Sequence, residues 1–136
     1  MSIPFWSVFI AALMIYVAKI PLAKAMNDQA GGYDNHHPRA QQAGLTGLGA
    51  RAHAAHLNSI EIFPLFAAGV LMAHGTGMFG WWIDALAVVF IIARALYLLC
   101  YWKDLHWQRS LIWVVSLVCC LLLMLSPALR WLFTGA

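Results

Sequence analysis

Charge is scarce in this chain. Asp, Glu, Lys and Arg together make up 10% of its 136 residues, where soluble domains carry about 25%. Hydrophobic residues reach 63% and the mean hydropathy is +0.77. A soluble globular domain is therefore excluded and an integral membrane protein is implied. The net charge is only +3 and no basic run exists, so no nucleic-acid-binding patch is expected. Cysteine is limited to Cys100, Cys119 and Cys120, all in apolar stretches. That placement excludes a disulfide framework, which needs spaced cysteines on loops. The three thiols read as small membrane-embedded hydrophobes, because a reactive thiolate is disfavoured in hydrocarbon. No basic leader precedes the first apolar stretch, which reads as a retained helix and not a signal peptide. Internal repeats are absent, and the length suits one domain.

Against that apolar background, four stretches are long enough to cross a bilayer at roughly 20 residues each. They cover residues 3–22, 52–73, 81–102 and 110–129, which predicts an all-α, integral membrane four-helix bundle. Pro21 is expected to help end the first span and Pro64 to kink the second. Between them, residues 24–50 are polar and rich in small residues and read as a long loop. Gly44, Gly47 and Gly49 follow no strand, so a dinucleotide fingerprint is not indicated, and a flexible hinge is expected there. His74-Gly-Thr-Gly-Met-Phe-Gly is a turn signal dividing the second span from the third. His74 and Asp84 read as solvated groups near that interface. Trp81, Trp82, Tyr101, Trp102, Trp107 and Trp131 fall near span ends, as interface aromatics do.

The positive-inside rule assigns the sides. Lys19, Lys24, Arg39, Arg51, Lys103 and Arg109 border the two longer loops, and only Arg130 stands opposite. Both longer loops are thus expected in the cytoplasm and both termini outside. Depth follows from 1.5 Å per residue. Counted from residue 53, Glu61 lies about 12 Å inside, and counted from residue 102, Arg94 lies at about the same depth. A lone charge there is costly and a hydrogen-bonded pair tolerable. Glu61 and Arg94 are therefore expected to interact, directly or through a small network, within one subunit or between two. Asn58 is one turn nearer the cytoplasm on a neighbouring face. Arg94, Tyr97 and Tyr101 recur at i, i+3 and i+7 and share one stripe. With Arg51 and Arg109 at the rim, these residues predict a cationic, aromatic-lined cleft open to the cytoplasm. Helix association alone is the competing explanation for such polar groups. The histidine pairs His36–His37 and His53/His56 lack a metal-site pattern and a convincing acidic third ligand, so no metal site is expected.

Two motifs then become recognisable. Arg51-Ala-His-Ala-Ala-His-Leu-Asn-Ser-Ile-Glu-Ile-Phe-Pro-Leu-Phe resembles the second-helix signature of the MAPEG superfamily, the membrane-associated proteins in eicosanoid and glutathione metabolism. Its Asn-x-x-Glu-x-x-Pro core stands as Asn58, Glu61 and Pro64. Ala93-Arg94-Ala-Leu-Tyr97-Leu-Leu-Cys-Tyr101, followed by Arg109-Ser110, resembles the third-helix run and the arginine opening the fourth helix. The resemblance covers nearly the whole chain and lies nearest the short prokaryotic members, which implies a bacterial inner membrane.

That resemblance implies a homotrimer binding glutathione, as co-substrate, in cytoplasm-facing clefts between subunits. It places Asn58, Glu61, Tyr97, Tyr101 and Arg109 at positions that contact glutathione or support its site, with Arg109 as thiolate stabiliser. Arg51 and Arg39 would help to hold the glutathione carboxylates, and Glu61 and Arg94 would brace the cleft or bind the ligand's charged ends. The expected function is a membrane glutathione transferase or peroxidase acting on apolar electrophiles. Two positions depart from the active enzymes' pattern: Ala54, where arginine is usual, and Ile62, where Tyr or Thr is frequent. They motivate an alternative, a non-catalytic binder of lipid or another apolar ligand on the same scaffold. A small four-helix multidrug exporter is a third reading, disfavoured because the first span contains no acid.

Overall fold

The computed structural model describes residues 2–134, with side chains as far as Arg130. Its helices are α1 (Ile3–Asn27), α2 (Pro38–Ala43), α3 (Gly47–Gly75), α4 (Trp81–Trp102) and α5 (His106–Thr134). Four are long and apolar enough to cross a membrane. The shortest of them, α4, has 22 residues and is about 33 Å long, enough for a hydrocarbon core of about 30 Å. Each alternates in direction with the next. One end of the bundle carries α2 and the Lys103–Leu105 turn, and the other carries the Gly75–Gly80 turn. Both α1 and α5 pack on α3 and α4, and their backbones do not approach each other within 8 Å (Cα to Cα) among the described residues. The α3–α4 pair is therefore the centre of the bundle.

Three of the long helices outrun the spans read from hydropathy. The first continues through Pro21 to Asn27. Proline removes one helical hydrogen bond there, but Leu22 and Met26 beyond it are fully buried against Leu45 and Ala52. Packing outweighs the lost bond. In α5, Pro127 leaves the carbonyl four residues back, on Leu123, without its helical donor. The Ser126 hydroxyl supplies one at 2.8 Å, which matters where no water is available to do so.

Phe66 of α3 and Phe90 of α4 stack face to face at the centre, with ring centroids 3.8 Å apart. Cys119, Cys120 and Leu123 of α5 complete this cluster. Helix α5 approaches α3 closely at Gly69, where an added Cβ would stand 2.9 Å from the Leu123 Cβ. Gly49 is also a packing glycine, since a Cβ there would meet that of Ala25 at 3.0 Å. The hinge expected around Gly44–Gly49 is instead a tight α1–α3 contact. Elsewhere the helices turn large apolar side chains outward, among them Ile20, Leu111 and Leu125. Trp81 and Trp107 are exposed near helix starts, while the Trp131 side chain lies outside the described residues.

The polar stretch between α1 and α3 is ordered around one side chain. Gln41 Nε2 shares its two hydrogens among three acceptors, the carbonyls of Met26 (3.0 Å) and Gly32 (2.8 Å) and Gln29 Oε1 (3.0 Å). Its Oε1 accepts the Asp34 N–H at 3.0 Å. The Asp34 carboxylate in turn accepts the backbone N–H groups of His37 and His36, at 2.9 and 2.8 Å. These bonds, the one from His37 foremost, hold its pKa below the ordinary 3.8 because they favour the charged form.

Candidate functional site

The polar groups of the bundle gather where α3 faces the second half of α4. Arg94 and Tyr97 are buried, at 3% and 4% exposure. Arg94 Nη2 donates to Asn58 Oδ1 at 3.1 Å and more weakly to Ser59 Oγ at 3.4 Å. Asn58 directs Nδ2 to Glu61 Oε2 at 3.3 Å. Arg94 and Glu61 are thus joined within one chain through Asn58, without a direct ion pair. Nη1 of Arg94 is buried without a hydrogen-bond partner among the described residues. It belongs to the side chain bordering a cavity of about 10 Å³ shared with Ser59 and Met14.

A buried guanidinium without a carboxylate contact is costly. Part of that cost is offset by Tyr97, over whose ring the Arg94 guanidinium lies 4.1 Å from the centroid. Such a contact is worth up to about 2 kcal/mol when desolvated. The Tyr97 and Tyr101 rings meet edge to face at 5.1 Å. Arg109, in the first turn of α5, then lies over Tyr101 at 4.6 Å. A continuous ladder, Arg94–Tyr97–Tyr101–Arg109, therefore runs from the interior to the bundle end carrying α2.

Arg51 joins this ladder from α3. Its Nε donates to the Tyr101 carbonyl at 3.1 Å, and its Nη1 lies 3.5 Å from an Asp104 carboxylate oxygen. Sequence reasoning missed Asp104. It sits just beyond the end of α4 with φ 61°, and the bonds Asp104 N–H to Tyr101 O and Leu105 N–H to Cys100 O close the turn. This is the Schellman pattern with Asp where glycine is usual. The available signal was an acid two residues after the last residue of α4, next to a turn, in a loop judged only by its cations.

Of the residues singled out from the sequence, Arg51, Asn58, Glu61, Arg94, Tyr97, Tyr101 and Arg109 form one connected group. Arg39 stands apart on α2, exposed, with its Nη1 3.4 Å from Gln42 Oε1. Ser59, bonded to Arg94 and to the Ala55 carbonyl at 2.8 Å, was also missed. A serine next to Asn58 on an apolar helix was its only trace. His56 acts elsewhere: its Nδ1 is 2.9 Å from the Ile15 carbonyl, which can only accept, so the ring donates and straps α1 to α3. Ile62 points into the core, where it lines the same small cavity as Arg94 and Ser59. Glu61, by contrast, is exposed on the outside of the subunit. The group thus has a buried cationic side and an open acidic one.

Compared with known proteins, the chain matches the model of the MAPEG family over residues 3–129. No curated protein and no solved structure matches it.

Proposed function

Given that the chain belongs to the MAPEG family, we propose that it is a membrane-bound, glutathione-transferase-like protein whose ligand lies along the arginine–tyrosine ladder. The carrying observation is the ladder itself, which places Arg109 and Tyr101 in contact at one end and the Asn58–Glu61 pair beside buried Arg94. Glutathione is a tripeptide with two carboxylates, an ammonium and a thiol that reacts as thiolate. The donor set fits it. Arg51 and Arg109 offer planar forks to carboxylates, Glu61 offers a carboxylate to the ammonium, and Asn58 can both donate and accept towards the peptide. Arg109 would act on the thiol, because a neighbouring cation lowers a thiol pKa from about 8.5 towards neutrality. Tyr101 would keep that guanidinium in place. Arg39 would reach the ligand only from the rim.

Exposed Glu61 favours assembly as a homotrimer with the cleft between subunits, since a neighbouring subunit would cover a polar edge that lipid cannot solvate. The positive-inside distribution puts the ladder's open end in the cytoplasm, and the prokaryotic-type motifs favour a bacterial inner membrane. Purified protein should bind glutathione by calorimetry at millimolar concentration and conjugate it to a generic apolar electrophile. Arg109→Ala should cut turnover far more than stability. Absence of glutathione binding at that concentration sinks the reading.

A second reading has its own observation. Val89, Ile92, Leu96, Ile112 and Val115 line a groove of about 210 Å³ between α4 and α5 without a polar contribution. It suits an acyl chain, and with Ala54 it supports a non-catalytic lipid or apolar-ligand binder. Co-purified lipid without thiol chemistry would favour that outcome.

A further inference from the structure

The far end of the bundle, away from the ladder, holds a second cavity of about 180 Å³. Its floor is Val70 and Ile83, at 1% and 3% exposure. Its walls are aromatic. The His74 ring meets Phe5 edge-on with centroids 4.7 Å apart, and Phe79 likewise at 5.3 Å. Asp84 lines the same space. It is half-buried in the first turn of α4, and no hydrogen bond or ion pair engages its carboxylate among the described residues. His74 is exposed, as the sequence reading expected, and Asp84 is half-buried; both border one cavity, which Phe5 at the start of α1 and Met78 to Gly80 of the turn also line.

That turn is braced. Met78 N–H bonds the Ala73 carbonyl at 2.8 Å and Gly77 N–H bonds that of His74 at 3.0 Å, with Gly77 at φ 71°. Arg130 of α5 donates to the Thr76 carbonyl at 2.7 Å. The cavity is therefore preformed, and a ligand would not have to order its walls, which reduces the cost of binding. An enclosed cavity of about 150 Å³ accommodates benzene, so this partly open one, at about 180 Å³, has the volume for a single ring with a short side chain. An acceptor-only carboxylate at the edge of an apolar site selects a charged donor.

We propose that this cavity binds a small one-ring amine, its ring against Phe5, Phe79 and the Val70–Ile83 floor and its ammonium held by Asp84. The site is separate from the proposed glutathione cleft and does not depend on it.

The test uses the full chain in phosphatidylcholine nanodiscs, with phenethylamine as the probe and phenylacetate as its charge-reversed counterpart. Phenethylamine should bind saturably, with a Kd on the order of 0.1–1 mM for so small a ligand. Phenylacetate should bind roughly tenfold more weakly or worse, and Asp84→Asn should weaken phenethylamine by roughly tenfold or more. Phe79→Ala, at an exposed wall position that does not support the core, should also weaken it several-fold while leaving the melting temperature unchanged. Glutathione binding should be the same in both variants as in the wild type. Three results would each overturn the proposal: uptake that tracks lipid without saturating, equal affinity for the two probes, or affinity unchanged by Asp84→Asn in a variant that melts as the wild type does.

Discussion

Asn58 is the residue on which the polar group's energetics turn, and Asn58→Leu isolates its contribution. The replacement keeps the number and branching of the side chain's heavy atoms, so the loss is chiefly that of hydrogen bonds. Arg94 would keep the long 3.4 Å contact to Ser59 and the Tyr97 ring, and would lose its 3.1 Å bond to Asn58 Oδ1. Two magnitudes compete. Side-chain hydrogen bonds between membrane helices average about 0.6 kcal/mol and reach about 1.7, whereas bonds to charged groups contribute about 1.5–3 kcal/mol. Arg94 is buried, charged and already short of one partner at Nη1, so the charged value should govern. We expect Asn58→Leu to destabilise the fold by about 1.5–2 kcal/mol. Glu61→Gln, at an exposed carboxylate with a 3.3 Å contact, should remain within about 0.5 kcal/mol of the wild type. Reversible unfolding in mixed micelles measures both, at fixed protein concentration because association adds to apparent stability. A loss below about 0.5 kcal/mol for Asn58→Leu, or equal losses for the two variants, would refute the reasoning.

Asp104→Asn should raise glutathione affinity several-fold in calorimetry, because it keeps a residue tolerant of the left-handed conformation while removing the carboxylate that engages Arg51. Unchanged or weaker binding would mean that Arg51 does not serve the ligand. Gly69→Ala should lower the melting temperature: the clash at 2.9 Å with Leu123 and 3.2 Å with the Cys120 carbonyl costs about 1–3 kcal/mol, more than the helix-propensity gain of about 1. The Asp34 carboxyl, with its folded pKa below 3.8, stabilises its loop fully above the unfolded value and loses that effect as pH falls through the lower folded one. The protection of the His36 and His37 amides against hydrogen exchange, taken relative to the intrinsic rate at each pH, should therefore fall below about pH 4, and Asp34→Ala should show the low protection already at neutral pH.

Much of the group around Arg94 was legible beforehand because helical periodicity is a local property. Arg94, Tyr97 and Tyr101 share a stripe by spacing alone, and equal depth puts Glu61 level with Arg94. Their contact through Asn58 was beyond such counting, since depth along an axis says nothing about rotation around it. Asp104 escaped notice because its role depends on a backbone conformation, φ 61°, which brings a loop acid back to α3. Pro21 misled for a related reason: its local penalty is real, but burial of Leu22 and Met26 decides where α1 ends.

Composition by itself determined that this protein is helical and lives in a membrane. A chain with so few charges and four apolar runs must satisfy its backbone internally, and helices do so segment by segment. Tertiary structure alone decided which polar groups meet. The small residues Gly49 and Gly69 let α1 and α5 close on α3, and the α3–α4 pairing then sets the rotation that turns Arg94 inward and leaves Glu61 on the outside. The same folding brings Asp84 to the edge of a cavity shared with Phe5 and Phe79. These outcomes depend on contacts between distant segments, and those exist only once the helices have packed.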